Sequence, residues 1–208
     1  MKTIVAVLFA LVIWVGCGEA AEERLAKEAA NLRATAEANR KANPPPKPPE
    51  IKPLTKEELA KVIEPAIRYR AGKPTGELTK ADLEKVTKLN LENDQLTDVK
   101  GLENLTKLEM LRLNNNLLTS VKGLENLTQL KFLFLGLNQL TSVKGLEKLT
   151  KLTNLDLSFN KLTDVKGLEK LTQLEELNLL FNPDLTKTQI AELQKALPKC
   201  GITHNATK

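Results

Sequence analysis

The chain has 208 residues, of which 41% are hydrophobic and only 3% aromatic, so the core of a folded domain must be built from aliphatic side chains. The formal net charge is +5, but the segment 86–182 holds 12 Lys/Arg and 12 Asp/Glu, so the excess lies in the flanks. Because no basic stripe with interleaved aromatics is present, the sequence argues against nucleic acid as a partner.

Residues 1–16 are predicted to be a signal peptide, because their apolar run is too short to span a bilayer comfortably. The small residues around Cys17 resemble a bacterial lipobox, although Trp14 stands where that motif usually has Leu. The resemblance implies cleavage before Cys17, a lipidated cysteine and a firm membrane anchor. Since Gly18 rather than Asp follows, it also favours the outer membrane or cell surface of a Gram-negative cell. Cleavage after Ala20 and an uncleaved signal anchor remain as alternatives.

Residues 17–53 are predicted to be a lipidated tether with a helical part and a proline-rich part. Good helix formers dominate 19–42, and apolar residues within 25–36 follow heptad-like steps. Self-association through 19–42 therefore stays open, but a solvated spacer is favoured because the seam has only two leucines. The prolines of 43–53 predict polyproline II, a semi-rigid rod.

Residues 54–85 are predicted to be a helical N-terminal cap. Thr55 and Glu58 have the spacing of a capping box, and apolar residues then recur at helical spacing. Pro65 lies inside this helix and should kink it or end it early. A second short helix is expected near Thr79. Because an open stack of repeats exposes its end leucines, a cap is needed here.

The segment 86–185 repeats the pattern L-x-x-L-x-L-x-x-N every 22 residues, in four near-identical copies after a first copy with Asp94 in the Asn position. The pattern resembles the 22-residue class of leucine-rich repeats, found in bacterial internalins and in a regulatory subunit of protein phosphatase 1. This resemblance implies an α/β leucine-rich-repeat solenoid, with a curved parallel sheet of about six strands between helical caps.

The asparagines of the four copies are expected to form a buried structural ladder. An amide has both donor and acceptor atoms, so it can satisfy backbone groups of the turns that are out of water. The members of this predicted ladder are Asn116, Asn138, Asn160 and Asn182.

Residues 186–208 are predicted to be a C-terminal cap made of a helix and a closing strand. The helix starts at a capping box from Thr186 and stops at Pro198. The repeat pattern then returns 23 residues after Leu174. This alignment sets Cys200 and Ile202 in the core positions of Leu177 and Leu179, and Asn205 in that of Asn182. Cys200 is therefore expected to be a small buried hydrophobe.

The candidate binding residues lie on the concave face, the outward side of the predicted sheet, because side chains alternate along a strand. An aromatic pair with a neighbouring Arg inside a polar ring is typical of binding hot spots. The expected ligand-binding residues are Lys88, Met110, Arg112, Phe132, Phe134 and Asp156. The position before each ladder asparagine also carries Leu137, Phe159 and Phe181, which either extend this surface or pack into the turns.

No catalytic set accompanies the single histidine, His204, so the sequence predicts a non-enzyme without cofactor or metal. The leading hypothesis is a protein- or peptide-binding module, displayed on the cell envelope as an exported lipoprotein and held to the membrane by its N-terminal lipid. Two alternatives remain: an oligomerising structural spacer of the envelope, and a regulatory subunit that scaffolds or inhibits an enzyme.

Overall fold

The structure, a computed structural model, describes residues 54–207, so the predicted signal peptide, Cys17 and the tether lie outside the described residues. Six parallel strands form one sheet in which the spatial order follows the chain order. They are β1 (Lys88–Asn90), β2 (Met110–Arg112), β3 (Phe132–Phe134), β4 (Asn154–Asp156), β5 (Glu176–Asn178) and β6 (Gly201–Thr203). This confirms the predicted repeat solenoid. In this part of the chain no helix is long and apolar enough to cross a membrane.

The first five strands pair in strict repeat register. Leu111 on β2 lies between Leu89 and Leu133, its equivalents one repeat earlier and one repeat later. The middle residue of each of these strands is buried, while its two neighbours are exposed or half-buried. The leucines and valines of the connecting loops close the core from the other side, most of them with no exposed surface. The 22-residue period therefore stacks like side chains over like side chains.

The N-terminal cap begins with α1 (Lys56–Ala71), and its capping box is confirmed: Thr55 N–H donates to Glu58, whose own N–H donates to Thr55 Oγ. Of the two effects expected of Pro65, a kink or an early end, the early end does not occur. Helix α1 continues past it to Gly72, which adopts a left-handed conformation with φ 66°. Pro65 is exposed, and the opposite face of α1 is buried and packs against β1. Tertiary packing of that face stabilises the helix despite the lost hydrogen bond.

A charged cluster fixes the second cap helix, α2 (Lys80–Leu83). Asp82 is buried and accepts hydrogen bonds from Lys73 Nζ at 2.7 Å and Lys85 Nζ at 3.0 Å. It also accepts from the backbone N–H and the hydroxyl of Thr79, at 3.0 and 2.7 Å. The lysine and threonine donors hold the pKa of Asp82 far below its ordinary value.

The C-terminal cap consists of α3 (Lys187–Ala196) and β6. The predicted capping box at Thr186 is confirmed, with Gln189 as its partner. The predicted strand alignment is wrong by two residues, because Ile202 pairs with Leu177 rather than Leu179. The helix between β5 and β6 breaks the 22-residue spacing, and a slip of two residues keeps the same side chains inward.

Cys200 accordingly takes a different core position from the predicted one. It is buried just before β6, and its N–H donates to Leu197 O as that of Leu174 donates to Leu171 O. Burial, together with the charge of Glu176, raises the pKa of the Cys200 thiol. Cys200 therefore lies in the core as a neutral, apolar side chain.

Candidate functional site

Each ladder asparagine joins its own turn of the solenoid to the preceding turn. Asn138 donates from Nδ2 to Leu113 O at 2.9 Å and to Leu135 O at 3.1 Å, and its Oδ1 accepts from Leu118 N–H at 3.0 Å. The other three repeat these bonds one or two periods away: Asn116, Asn160 and Asn182. All four are buried. Their role in the described structure is to satisfy backbone groups inside the solenoid.

The six candidate binding residues lie together on the concave face. The parallel register places Lys88 beside Met110, Met110 beside Phe132, and Arg112 beside Phe134, which in turn neighbours Asp156. Lys88 and Arg112 are exposed, whereas the other four are half-buried. The two phenylalanines thus show part of each ring to solvent, with buried Leu133 between them.

Arg112 already has partners within the chain. Its guanidinium carbon lies 5.3 Å from the Phe134 ring centroid, a cation–π geometry, and Nη1 is 3.9 Å from Glu92 Oε2. Glu92 also accepts from Asn114 Nδ2 at 3.0 Å, and Asn114 Oδ1 accepts from Gly136 N–H at 2.8 Å. On the N-terminal half of the concave face, β1 to β3, Arg112 and Glu92 are therefore paired with each other, while Lys88 has no ion-pair partner among the described residues.

The C-terminal half of the face is acidic. Asp156 Oδ1 accepts from Ser158 N–H at 3.0 Å, and Glu176 Oε2 accepts from Asn154 Nδ2 at 2.7 Å. Among residues 54–207, neither carboxylate has a Lys, Arg or His partner within ion-pair distance. The two halves of the face thus differ in their charge balance.

Three large apolar side chains form a second surface, which we name the apolar rim: Leu137, Phe159 and Phe181. They are 51%, 47% and 48% exposed, so they do not pack into the turns. The rings of Phe159 and Phe181 stack with centroids 4.2 Å apart and planes 20° from parallel. All three residues have positive φ, from 52° to 58°, which is rare for bulky side chains.

The sequence contained a signal for the exposure of the rim. The same position holds Asn93 and Asn115 in the first two repeats, and asparagine is enriched in the left-handed conformation of exposed turns. In the structure Asn115 Nδ2 donates to Asn93 Oδ1 at 2.6 Å on the surface. The row thus changes from polar to apolar along the solenoid.

Comparisons with known proteins agree with this geometry. Residues 106–148, 128–169 and 150–195 match the family described as leucine-rich repeats (2 copies). The internalin InlF of Listeria monocytogenes superposes with a TM-score of 0.64 at 29% identity, over 73% of this chain and 44% of that one. Internalin C2 of the same organism gives 0.64 at 28% identity, over 70% and 64%. The chain carries an internalin-like leucine-rich-repeat solenoid.

A more distant likeness is limited to the fold. The functional domain of InlJ of Listeria monocytogenes has a TM-score of 0.52 at 24% identity, over 71% of this chain and 37% of that one. The chain therefore spans from 37% to 64% of the length of these three internalin chains. A search of curated proteins gives no match.

A groove of about 570 Å³ crosses the acidic half of this internalin-like solenoid. Phe134 lines one end, Asp156 and Glu176 line the middle, and Thr203 on β6 lines the other end. None of the described residues that line it carries a positive charge. The groove therefore combines one aromatic ring with two carboxylates.

Proposed function

We propose that the protein is a non-catalytic module that binds a protein or peptide through its concave face. The observation that carries this proposal is the pair Phe132 and Phe134, half-exposed on β3 beside Met110 and Arg112. Aromatic and Arg side chains held on a rigid sheet are the side chains that dominate measured binding energies.

The fold itself does not call for phenylalanine at these two positions. The equivalents of Phe132 on β1, β4 and β5 are Lys88, Asn154 and Glu176, and the solenoid has the same register at all of them. The core is filled by the leucines in between, which are almost fully buried. Because the solvent-exposed part of each ring adds nothing to that core, a bound surface is the economical reason for the aromatic pair.

The proposed setting is the cell envelope. The segment around Cys17 supports an exported lipoprotein, held at the outer membrane or cell surface by its N-terminal lipid. Intact-mass spectrometry of the protein purified from membranes should give a chain that begins at Cys17 and carries acyl groups. A mature chain that begins at Ala21 without lipid would contradict the anchor.

If the concave face binds a protein, a capture experiment should depend on Phe132 and Phe134. The full chain, extracted in mild detergent, is compared with Phe132→Ala/Phe134→Ala and with a loop control, Thr128→Ala/Thr150→Ala, whose residues are exposed. At least one envelope protein should bind wild type and control, and the double variant should retain it about tenfold less, as expected for loss of aromatic hot spots. Equal melting temperatures show that wild type and both variants are folded.

The other outcomes favour the alternatives. Equal capture by wild type and both variants, or capture by none of the three, contradicts concave-face binding and favours the structural spacer. A captured enzyme whose activity changes upon binding favours the regulatory subunit. Titration of each captured protein, once purified, against wild type and double variant separates direct from indirect capture.

A further inference from the structure

The acidic half of the concave face is pre-arranged for a positive charge. Ser158 N–H donates to one oxygen of Asp156 at 3.0 Å, and Asn154 Nδ2 donates to one oxygen of Glu176 at 2.7 Å. The second oxygen of each carboxylate has no hydrogen-bond donor among residues 54–207. Two oriented carboxylates therefore face the groove with acceptor capacity left over.

The neighbouring strands show how a cation fits this surface. Arg112 on β2 lies between the Glu92 carboxylate and the Phe134 ring. On its other flank, Phe134 is in register with Asp156 on β4, so the combination of ring and carboxylate occurs again there. The pair Glu92 and Phe134 already has Arg112 of the chain itself between its members. The pair Asp156 and Phe134 has no cation from the described residues that line the groove.

The acidic groove adjoins the apolar rim. A Cβ atom at Gly136 would lie 2.8 Å from Asp156 Oδ2 and 3.0 Å from Ser158 Oγ, so the carboxylate lies directly over this glycine. Leu137, the first residue of the rim, is the next residue in the chain. A ligand that contacts Asp156 can therefore reach the rim within about one or two residues of extended chain.

We propose that this half of the face binds a peptide segment that presents an arginine or lysine to Asp156 and Glu176 and a neighbouring apolar side chain to the rim. The inference rests on the proposed function and names the chemistry of its ligand. Charge complementarity selects this occupant, because an acidic segment or a nucleic acid would bring like charges together in the groove. Arginine suits it best, since it stacks on rings and binds carboxylates in pairs.

Selection from a displayed library of random peptides tests this inference. The baits are the full chain, Asp156→Asn/Glu176→Gln, the control Glu175→Gln and Phe132→Ala/Phe134→Ala. Glu175 is an exposed acid next to Glu176 that precedes β5 and does not line the groove. Peptides selected on wild type should be enriched in Arg or Lys beside aliphatic or aromatic residues. A synthetic peptide from this set should bind the charge-neutral pair variant about tenfold more weakly and the control equally well.

A further variant separates a specific contact from general attraction. Gly136→Ala keeps every charge, but the new Cβ would lie 2.8 Å from Asp156 Oδ2, 3.0 Å from Ser158 Oγ and 3.3 Å from Asn114 Oδ1. The Asp156 carboxylate, which is the most crowded of these flexible groups, must then move aside. Gly136→Ala should therefore weaken the same peptide severalfold, while its melting temperature stays close to that of wild type. If Gly136→Ala binds the peptide as well as wild type does, while Asp156→Asn/Glu176→Gln binds it more weakly, the attraction is general and the proposed contact with Asp156 is overturned.

The remaining outcomes separate the inference from the proposed function. Peptides that need Phe132 and Phe134, but carry no basic residue or tolerate the pair variant, would overturn the inference and leave the proposed function intact. Peptides that bind all baits equally, or no selected peptides at all, would overturn the inference and also count against concave-face binding.

Discussion

Two adjacent positions of each repeat behave in opposite ways. The ladder position is asparagine in four consecutive repeats and is buried in each of them. The rim position immediately before it changes from Asn115 to Leu137, Phe159 and Phe181, and is exposed in each of them. The same stretch of backbone therefore holds one position that does not vary and one that varies freely.

The difference follows from what each side chain must satisfy. A ladder asparagine meets carbonyl and N–H groups of two successive turns inside the core, and only an amide of this length supplies both a donor and an acceptor there. The only requirement at the rim position is a backbone with positive φ, which asparagine adopts more easily than larger residues do. The side chain at the rim position is free to serve the surface, so its change to Leu and Phe is informative about binding.

The largest expected effect comes from breaking the ladder. Asn138→Ala leaves the buried Leu118 N–H without its acceptor and removes one of the two amide donors to Leu113 O. Because each unsatisfied buried group costs free energy, we expect the free energy of unfolding to fall by about 2–4 kcal/mol. Chemical denaturation of the full chain measures it. In the matched control Asn115→Gly, glycine accepts φ 55° and the lost bond is exposed, so the change should stay within about 0.5 kcal/mol.

A smaller, pH-dependent loss is expected at the cap, where the buried polar group is charged. The pKa of Asp82 is depressed below its ordinary value of 3.8 in the folded state. Its contribution to stability is therefore complete above that pH and is lost as the pH falls below it. Asp82→Asn should lower the melting temperature at pH 7 by an amount that stays constant down to about pH 5 and shrinks below about pH 4.

The ladder provides the control for this pH series. Asn138 has no ionisable group, so the difference in melting temperature between wild type and Asn138→Ala should not change with pH over the same range. A deficit of Asp82→Asn that is equally insensitive to pH would show that the lost hydrogen bonds, and not the charge, stabilise the cap.

The sequence predicted the features that repeat. The period fixes which residues stack, so strand number, core leucines and strand register follow from it for β1 to β5. The capping boxes at Thr55 and Thr186 are also local patterns, and both form as expected. Prediction succeeds here because each feature depends on a few residues that are close in sequence or one period apart.

The errors lie where several interactions compete. Helix α1 continues past Pro65 because its buried face packs on β1, and the local apolar spacing shows that face but not the strand that covers it. The register of β6 depends on the path of α3 between β5 and β6, so counting residues misplaces Ile202 by two positions. The open carboxylates of Asp156 and Glu176 depend on which lysines and arginines reach them. Charge counts along the sequence, which balance over 86–182, do not contain that information.

The smallest expected effect concerns the cost of the rim. Leu137 has φ 56°, where any side chain with a Cβ atom is strained and glycine is not. Leu137→Gly should therefore be more stable than Leu137→Ala by about 1 kcal/mol in chemical denaturation. At exposed Thr141, which has no positive φ, the order should reverse, because glycine there only adds freedom to the unfolded chain. Equal stability of the two Leu137 variants would show that the backbone at this position is not strained. If Leu137→Gly is the more stable variant, the rim retains a large apolar side chain although its backbone conformation lowers the stability of the fold. That is expected of a surface selected for contact with a ligand.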